Sequence, residues 1–298
     1  ELDYGDAPDL SIAGSLWNYP TLLLNNGARH QIDPTGPWLG APPDPLGLPD
    51  SETDGQPDLN ALGDDNNGYD DENGVQFPTP MVAGQSPIIQ ILVSDGALLG
   101  GNVDAWFDWN GDGDWNDPGE QMLAASWMNI GFNPVTITIP GTATNGWIFA
   151  RFRISRQGGL APTGAAPDGE VEDYEIFIDH ADWGDAPDSP TAAGYPTLSF
   201  NNGAWHLIKP GLLLGALIDA EANGQPTVPA DGDDLNNLDD EDGIQLTSGL
   251  YPGLKASVKV TVVGAGLLSA WLDTNADNDW DDPGEKVLAD VSLSTGTY

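Results

Sequence analysis

Two stretches of the chain place oxygen-bearing side chains at matching intervals. The first reads Asp108-Trp-Asn110-Gly-Asp112-Gly-Asp114-Trp-Asn-Asp117-Pro-Gly-Glu120, and the second reads Asp273-Thr-Asn275-Ala-Asp277-Asn-Asp279-Trp-Asp-Asp282-Pro-Gly-Glu285. Oxygens fall at every second position, then at the tenth and thirteenth. Carboxylates crowded on one short loop repel one another and raise each other's pKa. A hard divalent cation removes that conflict, and Ca²⁺ takes roughly six to eight oxygens in flexible geometry. The spacing follows an EF-hand loop over its first five positions. Gly113 stands sixth, where that loop turns sharply, and Asn278 takes the same place in the twin, being tolerant of left-handed backbone. The last Glu stands thirteenth instead of twelfth, and the loop follows a strand, so a strand–loop–strand calcium site is expected. Asp108, Asn110, Asp112 and Glu120 are the expected side-chain ligands. Asp114 would give its carbonyl or carboxylate, and Asp117 would be a ligand or a supporting group. The competing reading is a solvated turn closing a hairpin; ligand count and repetition favour metal.

A second acidic run, Asp64-Asp65 with Asp70-Asp71-Glu72, also returns, as Asp233, Asp234, Asp239, Asp240 and Glu241. Its density beside an apolar strand start at Val75 or Ile244 points to another calcium, against the plainer reading of a charged exposed loop. Asp3, Asp6 and Asp9 could reach a cation too, in competition with turn and capping roles.

These loops need a scaffold, and composition says which kind. The 298 residues carry a formal charge of −39, with 38 Gly, 25 Pro, 11 Trp and no Cys. The acid is mostly Asp, which disfavours helix and suits turns and metal loops. The tryptophans argue against disorder. So negative a field repels phosphate, which excludes nucleic acid as a partner. The charge equally excludes a polybasic membrane contact, and no apolar run reaches the roughly 18–20 residues that span a bilayer. Without cysteine, no disulfide staples the fold. Weak calcium sites, with Kd of roughly 10⁻⁴–10⁻³ M, fill outside cells, so an extracellular location is expected. The first residue is Glu rather than Met, consistent with a processed or excerpted chain.

Self-comparison divides the chain in two. Asp3-Tyr-Gly-Asp6-Ala-Pro-Asp9 returns as Asp182-Trp-Gly-Asp185-Ala-Pro-Asp188; Tyr19-Pro-Thr returns as Tyr195-Pro-Thr; Asn25-Asn-Gly-Ala-Arg-His30 returns as Asn201-Asn-Gly-Ala-Trp-His206. The first copy is expected over 1–179 and the second over 180–298. The second lacks a counterpart of Arg151-Phe-Arg153 and of Gly169–Ile178. Those strands are expected either further along a longer array or from a neighbouring molecule. Period-two patterning predicts strands at Pro87–Ser94, Val103–Trp109, Pro134–Ile139, Trp147–Ser155 and Val171–Ile178, then at Ala256–Val263 and Leu268–Asp273. Short strands between Gly/Asp turns predict an all-β chain of tandem antiparallel β-sandwich modules with long calcium-binding loops. The stretch from Asp33 to Gly68 has no clear period and is expected to be an ordered loop.

At Gly169-Glu-Val-Glu-Asp173 the chain resembles the GEVED domain family. The resemblance extends to the Arg151-Phe-Arg153 strand, the Asp108–Glu120 loop and the Asp-Tyr/Trp-Gly-Asp-Ala-Pro-Asp openings. It implies a module of large secreted or surface-exposed bacterial proteins, often beside adhesive or repeat domains. It implies location more than activity.

The remaining candidates are weaker. Glu170 and Glu172 alternate along a strand and are expected to face Arg151 and Arg153; acid–base catalysis as in glycoside hydrolysis is the minor reading. His30 and His206 suit structural hydrogen bonds, since three histidines without cysteine do not build a zinc centre. Trp106, Trp109, Trp115, Trp271 and Trp280 crowd the loops, where they shield an ion or, less favoured, stack on sugars. The expected function is therefore an extracellular calcium-stabilised structural or adhesive repeat, not an enzyme. Its partners would be neighbouring copies, other surface domains and, in an alternative carbohydrate-binding role, glycans.

Overall fold

The computed structural model describes residues 1–10, 17–41, 48–63, 66, 72–188, 194–235 and 238–298. The chain forms two compact units, Glu1–Ile178 and Asp179–Tyr298. Among the described residues the regular structure is β-strand with three short 3-10 turns.

Unit 1 contains β1 (Leu2–Tyr4), β2 (Arg29–Gln31), β3 (Pro37–Leu39), β4 (Val75–Gln76), β5 (Met81–Val82) and β6 (Ile88–Asp95). They are followed by β7 (Gly101–Phe107), β8 (Gln121–Met128), β9 (Gly131–Thr136), β10 (Gly146–Ser155), β11 (Ala165–Ala166) and β12 (Glu170–Asp179). One sheet runs β5-β12-β10-β7-β8; a second is centred on β6, paired with β3, β4 and β9; a third is β1-β2-β11. β6 alternates, sending Ile89, Ile91 and Val93 inward. They meet Val103, Ala105 and Phe107 of β7, Ile148, Ala150, Phe152 and Ile154 of β10, and Ile176 and Ile178 of β12 in a single apolar cluster. Burying such a cluster is the main driving force for this unit.

Unit 2 contains β13 (Ala181–Trp183), β14 (Trp205–Leu207), β15 (Leu213–Leu214), β16 (Ile244–Leu246), β17 (Val258–Val263), β18 (Gly266–Trp271), β19 (Lys286–Leu293) and β20 (Gly296–Thr297). β17 pairs with β15, β16 and β20, as β6 does with β3, β4 and β9, and β18 pairs with β19 as β7 does with β8. The likeness reaches irregularities. The β7–β8 ladder shifts register around Val103–Trp106, and the β18–β19 ladder shifts around Leu268–Trp271. Ala125 and Asp290, facing those bulges, both adopt positive φ, 45° and 53°.

Two expectations are corrected. The Asp33–Gly68 stretch is not all loop, because Pro37–Leu39 forms β3 and pairs with Val93–Asp95. The expected facing of Glu170 and Glu172 with Arg151 and Arg153 is also wrong. Arg151 lies opposite Asp173 and Arg153 opposite Val171, while Glu172 lies opposite Phe152 and Glu170 opposite Ile154. Residues directly opposed share a face, and a one-residue difference sends a side chain to the other face.

Candidate metal-binding loops and the strand that covers one of them

Each Asp-rich loop leaves a strand and returns into the next, joining β7 to β8 and β18 to β19. Both ends of the first loop and the closing Glu of the second are inside, Asp273 is partly buried, and the middle of each loop is outside. Asp108 and Glu120 are buried, as is Glu285, whereas Asn110, Asp112 and Asp117 are exposed together with Asn275, Asp277 and Asp282.

The first Asp organises the turn. Asp108 Oδ1 accepts from the amides of Gly111 (2.7 Å) and Asp112 (3.2 Å), and Oδ2 accepts from Gly113 (2.9 Å). Asp273 accepts from the amides of Ala276 and Asn278 at the matching fourth and sixth positions, and from Asn275 in place of the fifth. The tight winding needs left-handed backbone at the fourth and sixth loop positions, met by Gly111 and Gly113 in one copy and by Ala276 (φ 62°) and Asn278 (φ 73°) in the other. Asn275 Nδ2 donates to Asp277 (2.8 Å) and Asp282 (2.6 Å), as Asn110 Nδ2 does to Asp112 (3.1 Å) and Asp117 (2.6 Å). One amide thus sits where two carboxylates converge. A cation there would need that amide turned, oxygen inward. The final Glu closes the loop: Glu120 Oε2 accepts from the Asp117 amide (3.0 Å) and Glu285 Oε2 from the Asp282 amide (3.2 Å). Asp114 and Asp279 each accept from the amide two residues on.

A tyrosine that the spacing argument missed completes each site. Tyr19 donates its hydroxyl to Asp108 Oδ2, and Tyr195 donates to Asp273 Oδ2 at 2.8 Å. Tyr19 packs on Trp115 with ring centroids 4.3 Å apart, and Tyr195 on Trp280 at 4.4 Å. The signal was present, because Tyr-Pro-Thr repeats along with the loop. Trp106, Trp109 and Trp115 are buried, so they shield the loop and offer no face for a sugar, whereas Trp271 is exposed.

The donor set fits a hard cation. Asp273, Asp277 and Glu285 each bring a carboxylate oxygen within 4.8 Å of the others. Glu120 Oε1 is buried with no hydrogen-bond partner. Burial, with Asp108, Asp117 and Asp112 nearby, pushes the Glu120 carboxyl up to about 7. Burial also raises Asp108, whereas Asp273, held first by the Tyr195 hydroxyl, is lowered. The twins differ because β10 covers the first loop: the Asp108 amide and the Trp115 indole both donate to the Phe149 carbonyl.

The second acidic run is described in unit 2. There Asp233 joins Asp185 and Glu241 within 4.8 Å, and Asp234, Asp239 and Glu241 form an adjoining trio. Burial comes first in raising Asp182 to about 7, Asp185 to about 6, and Glu221 and Glu241 to about 8, each helped by neighbouring carboxylates. Asp240 lies among them and is raised by burial. Glu221, which the run did not include, accepts from the Trp183 amide through Oε2, while its buried Oε1 has no hydrogen-bond partner. Its repeat partner Glu52 accepts from the Tyr4 amide in the same way. In unit 1, Glu72 is partly buried; Asp64, Asp65, Asp70 and Asp71 lie outside the described residues.

Asp3, Asp6 and Asp9 are tied to backbone and side-chain donors. Asp3 accepts from Val171, Asp6 from Gly63, and Asp9 from the Asn25 side chain and the Thr21 and Leu22 amides.

The pentapeptide strand β12 is pinned by the same kind of bond. Glu170 accepts from the Leu39 amide, and Glu172 from the amides of Asn73 (3.1 Å) and Gly74 (2.9 Å). Asp173 accepts from Asp6 (3.0 Å) and Ala7 (2.8 Å) and takes a bidentate pair of 2.6 Å bonds from Arg151. Arg153 Nε donates to His30 Nε2 at 2.9 Å, and His30 Nδ1 bonds the Asp168 carbonyl at 2.7 Å. Both arginines are fully buried. His206, the repeat partner of His30, is exposed.

A family model described as GEVED domain matches residues 102–177, which span β7 to β12. Residues 102–177 match the GEVED domain. The GEVED match holds the Asp108–Glu120 loop, both buried arginines and the pentapeptide. No curated protein and no solved structure matches the chain.

Proposed function

We propose that this GEVED protein is an extracellular, calcium-stabilised structural or adhesive repeat of a bacterial surface or filament-forming protein, built from tandem β-sandwich modules. The observation that carries the reading is the duplicated loop, in which both copies wind the fourth and sixth amides onto the first Asp, bridge two carboxylates with the third-position Asn, add a Tyr hydroxyl and close on the last Glu. Asp108, Asn110, Asp112, Asp117 and Glu120 would hold one ion and Asp273, Asn275, Asp277, Asp282 and Glu285 another. Asp185, Asp233 and Glu241 fit a further one. Bound calcium supplies two positive charges where several carboxylates otherwise confront one another. The chain's own residues bury the closing glutamates, Glu120 and Glu285, and keep the loops wound. The reading is one of cation binding, because the described carboxylates of each loop converge on one another. No helix among the described residues is long and apolar enough to cross a membrane.

The test is metal content. Protein dialysed against calcium and then buffer is analysed for bound metal beside a variant carrying Glu120→Gln and Glu285→Gln. The parent should retain calcium and the variant should lose the loop-bound share. Equal content in both would remove the loops from the account.

A further inference from the structure

We propose that the acidic centre of unit 2 takes two hard divalent cations, sharing Asp233, and that the segment Asp219-Ala-Glu221 supplies ligands to the second. The inference rests on the reading of Asp185, Asp233 and Glu241 as one ion site and adds a neighbour to it.

The segment is built into both units in the same way. The Glu221 amide donates to the Ala181 carbonyl (2.9 Å), and Glu221 Oε2 accepts from the Trp183 amide (2.9 Å), so the residue grips β13 through two bonds. In unit 1 the Glu52 amide donates to the Leu2 carbonyl (2.9 Å), and Glu52 Oε2 accepts from the Tyr4 amide (2.9 Å). Asp50-Ser-Glu52 thus repeats Asp219-Ala-Glu221 in sequence, and its glutamate repeats the grip on the first strand.

Those bonds use one carboxylate oxygen of Glu221 and leave the other over. Glu221 is 8% exposed, and its Oε1 is buried with no hydrogen-bond partner; Asp219 Oδ1 is also buried with none. Both residues face the acidic centre. The Asp219 amide donates to Asp240 Oδ2 (3.2 Å), and Asp219 Oδ2 accepts from the Leu238 amide (3.3 Å), which ties the segment to the acidic run. The charges of Asp219, Asp182 and Asp233 act on Glu221, and those of Asp219 and Asp233 act on Asp240. Asp233 is 1% exposed and also brings an oxygen within 4.8 Å of Asp185 and Glu241. Asp219 and Glu221 are not part of that trio, so an ion held by it leaves them uncompensated. Among the described residues no lysine or arginine pairs with any of these carboxylates. A buried carboxylate oxygen with neither a donor nor a counter-charge is strongly unfavourable, and an ion is one of the few things that accounts for it. Ca²⁺ suits the place, because it accepts carboxylates in irregular geometry and completes its shell with backbone carbonyls and water.

The test counts ions in the full chain. The parent, Glu221→Gln, Asp219→Asn, the double variant of those two, and the Glu120→Gln/Glu285→Gln variant are equilibrated with calcium, and bound metal is measured per chain. Glu221→Gln keeps an acceptor for the Trp183 amide and should lose one ion. Asp219→Asn should lose the same ion, so the double variant loses no more than either alone. In chelator, calorimetry should show the unit 2 transition of Glu221→Gln at a higher temperature than in the parent, because the change removes a buried charge. Equal calcium in the parent and Glu221→Gln, while the loop variant loses its share, would overturn this inference alone. A parent that binds no calcium would overturn it together with the reading beneath it. A lower unit 2 transition for Glu221→Gln in chelator would give the residue a structural role and overturn the inference as well.

Discussion

A buried guanidinium and a buried carboxyl show how much single residues decide in this chain. Arg151 is fully buried, paired bidentately with Asp173, donates to the Pro20 and Pro162 carbonyls, and lies over the Trp115 ring at 4.5 Å. Removing one member of a buried pair leaves the other charge uncompensated, which costs about 3–5 kcal/mol. Arg151→Met should therefore destabilise unit 1 by that order in urea unfolding, with the unit 2 transition unmoved. Glu120 carries the opposite lesson. Its buried carboxyl is raised to about 7, so the calcium-free fold holds it at a cost when ionised. Glu120→Gln should raise the melting temperature in chelator and lower it in calcium, as read by scanning calorimetry. The loop residues were legible because ligand spacing is a one-dimensional property that the repeat underlined. The arginine pairing was not, because the face of a side chain depends on cross-strand register, and counting along one strand does not supply it. Glu221 was missed for a related reason: it lies outside the acidic run and joins it only in space.

At the scale of elements, the strongly alternating strands β6, β10 and β17 were readable, with ends within two residues of the expected ones. β8 and β19 were not, since Gln121–Met128 and Lys286–Leu293 show little alternation and are largely exposed or partly buried. Their positions are set by hydrogen bonding to β7 and β18 and by the bulges, which no single-strand pattern encodes. The short β1 and β2 escaped for want of length, although their repeated motifs marked them as ordered. The two loops differ in backbone cost. Ala276 holds a left-handed conformation (φ 62°) that Gly111 holds freely. Such a conformation costs an L-residue about 1–2 kcal/mol, partly offset by the greater unfolded-state entropy of glycine. Ala276→Gly should stabilise unit 2 by about 0.5 kcal/mol in denaturant titration, and Gly111→Ala should act in the opposite direction on unit 1.

For the molecule as a whole, charge and pH are coupled through unit 2's acidic centre. Asp182, Asp185, Glu221 and Glu241 are held near 7, 6, 8 and 8, above the usual carboxylate values of about 4. A carboxyl raised in the folded state stabilises it fully below the unfolded pKa and loses that contribution as pH rises through the folded pKa. In chelator, unit 2 should grow less stable between about pH 4 and pH 8, and calcium should flatten that fall by favouring the ionised form. Urea midpoints across that range, with and without calcium, check the sign. At about 2 mM calcium, sites with Kd of roughly 10⁻⁴–10⁻³ M add about 0.6–1.8 kcal/mol each by mass action. The most direct trial of the central claim is scanning calorimetry of the full chain in calcium and then in chelator. The account predicts that both unfolding transitions fall by several degrees on chelation and recover when calcium is restored; transitions that stay in place would contradict it.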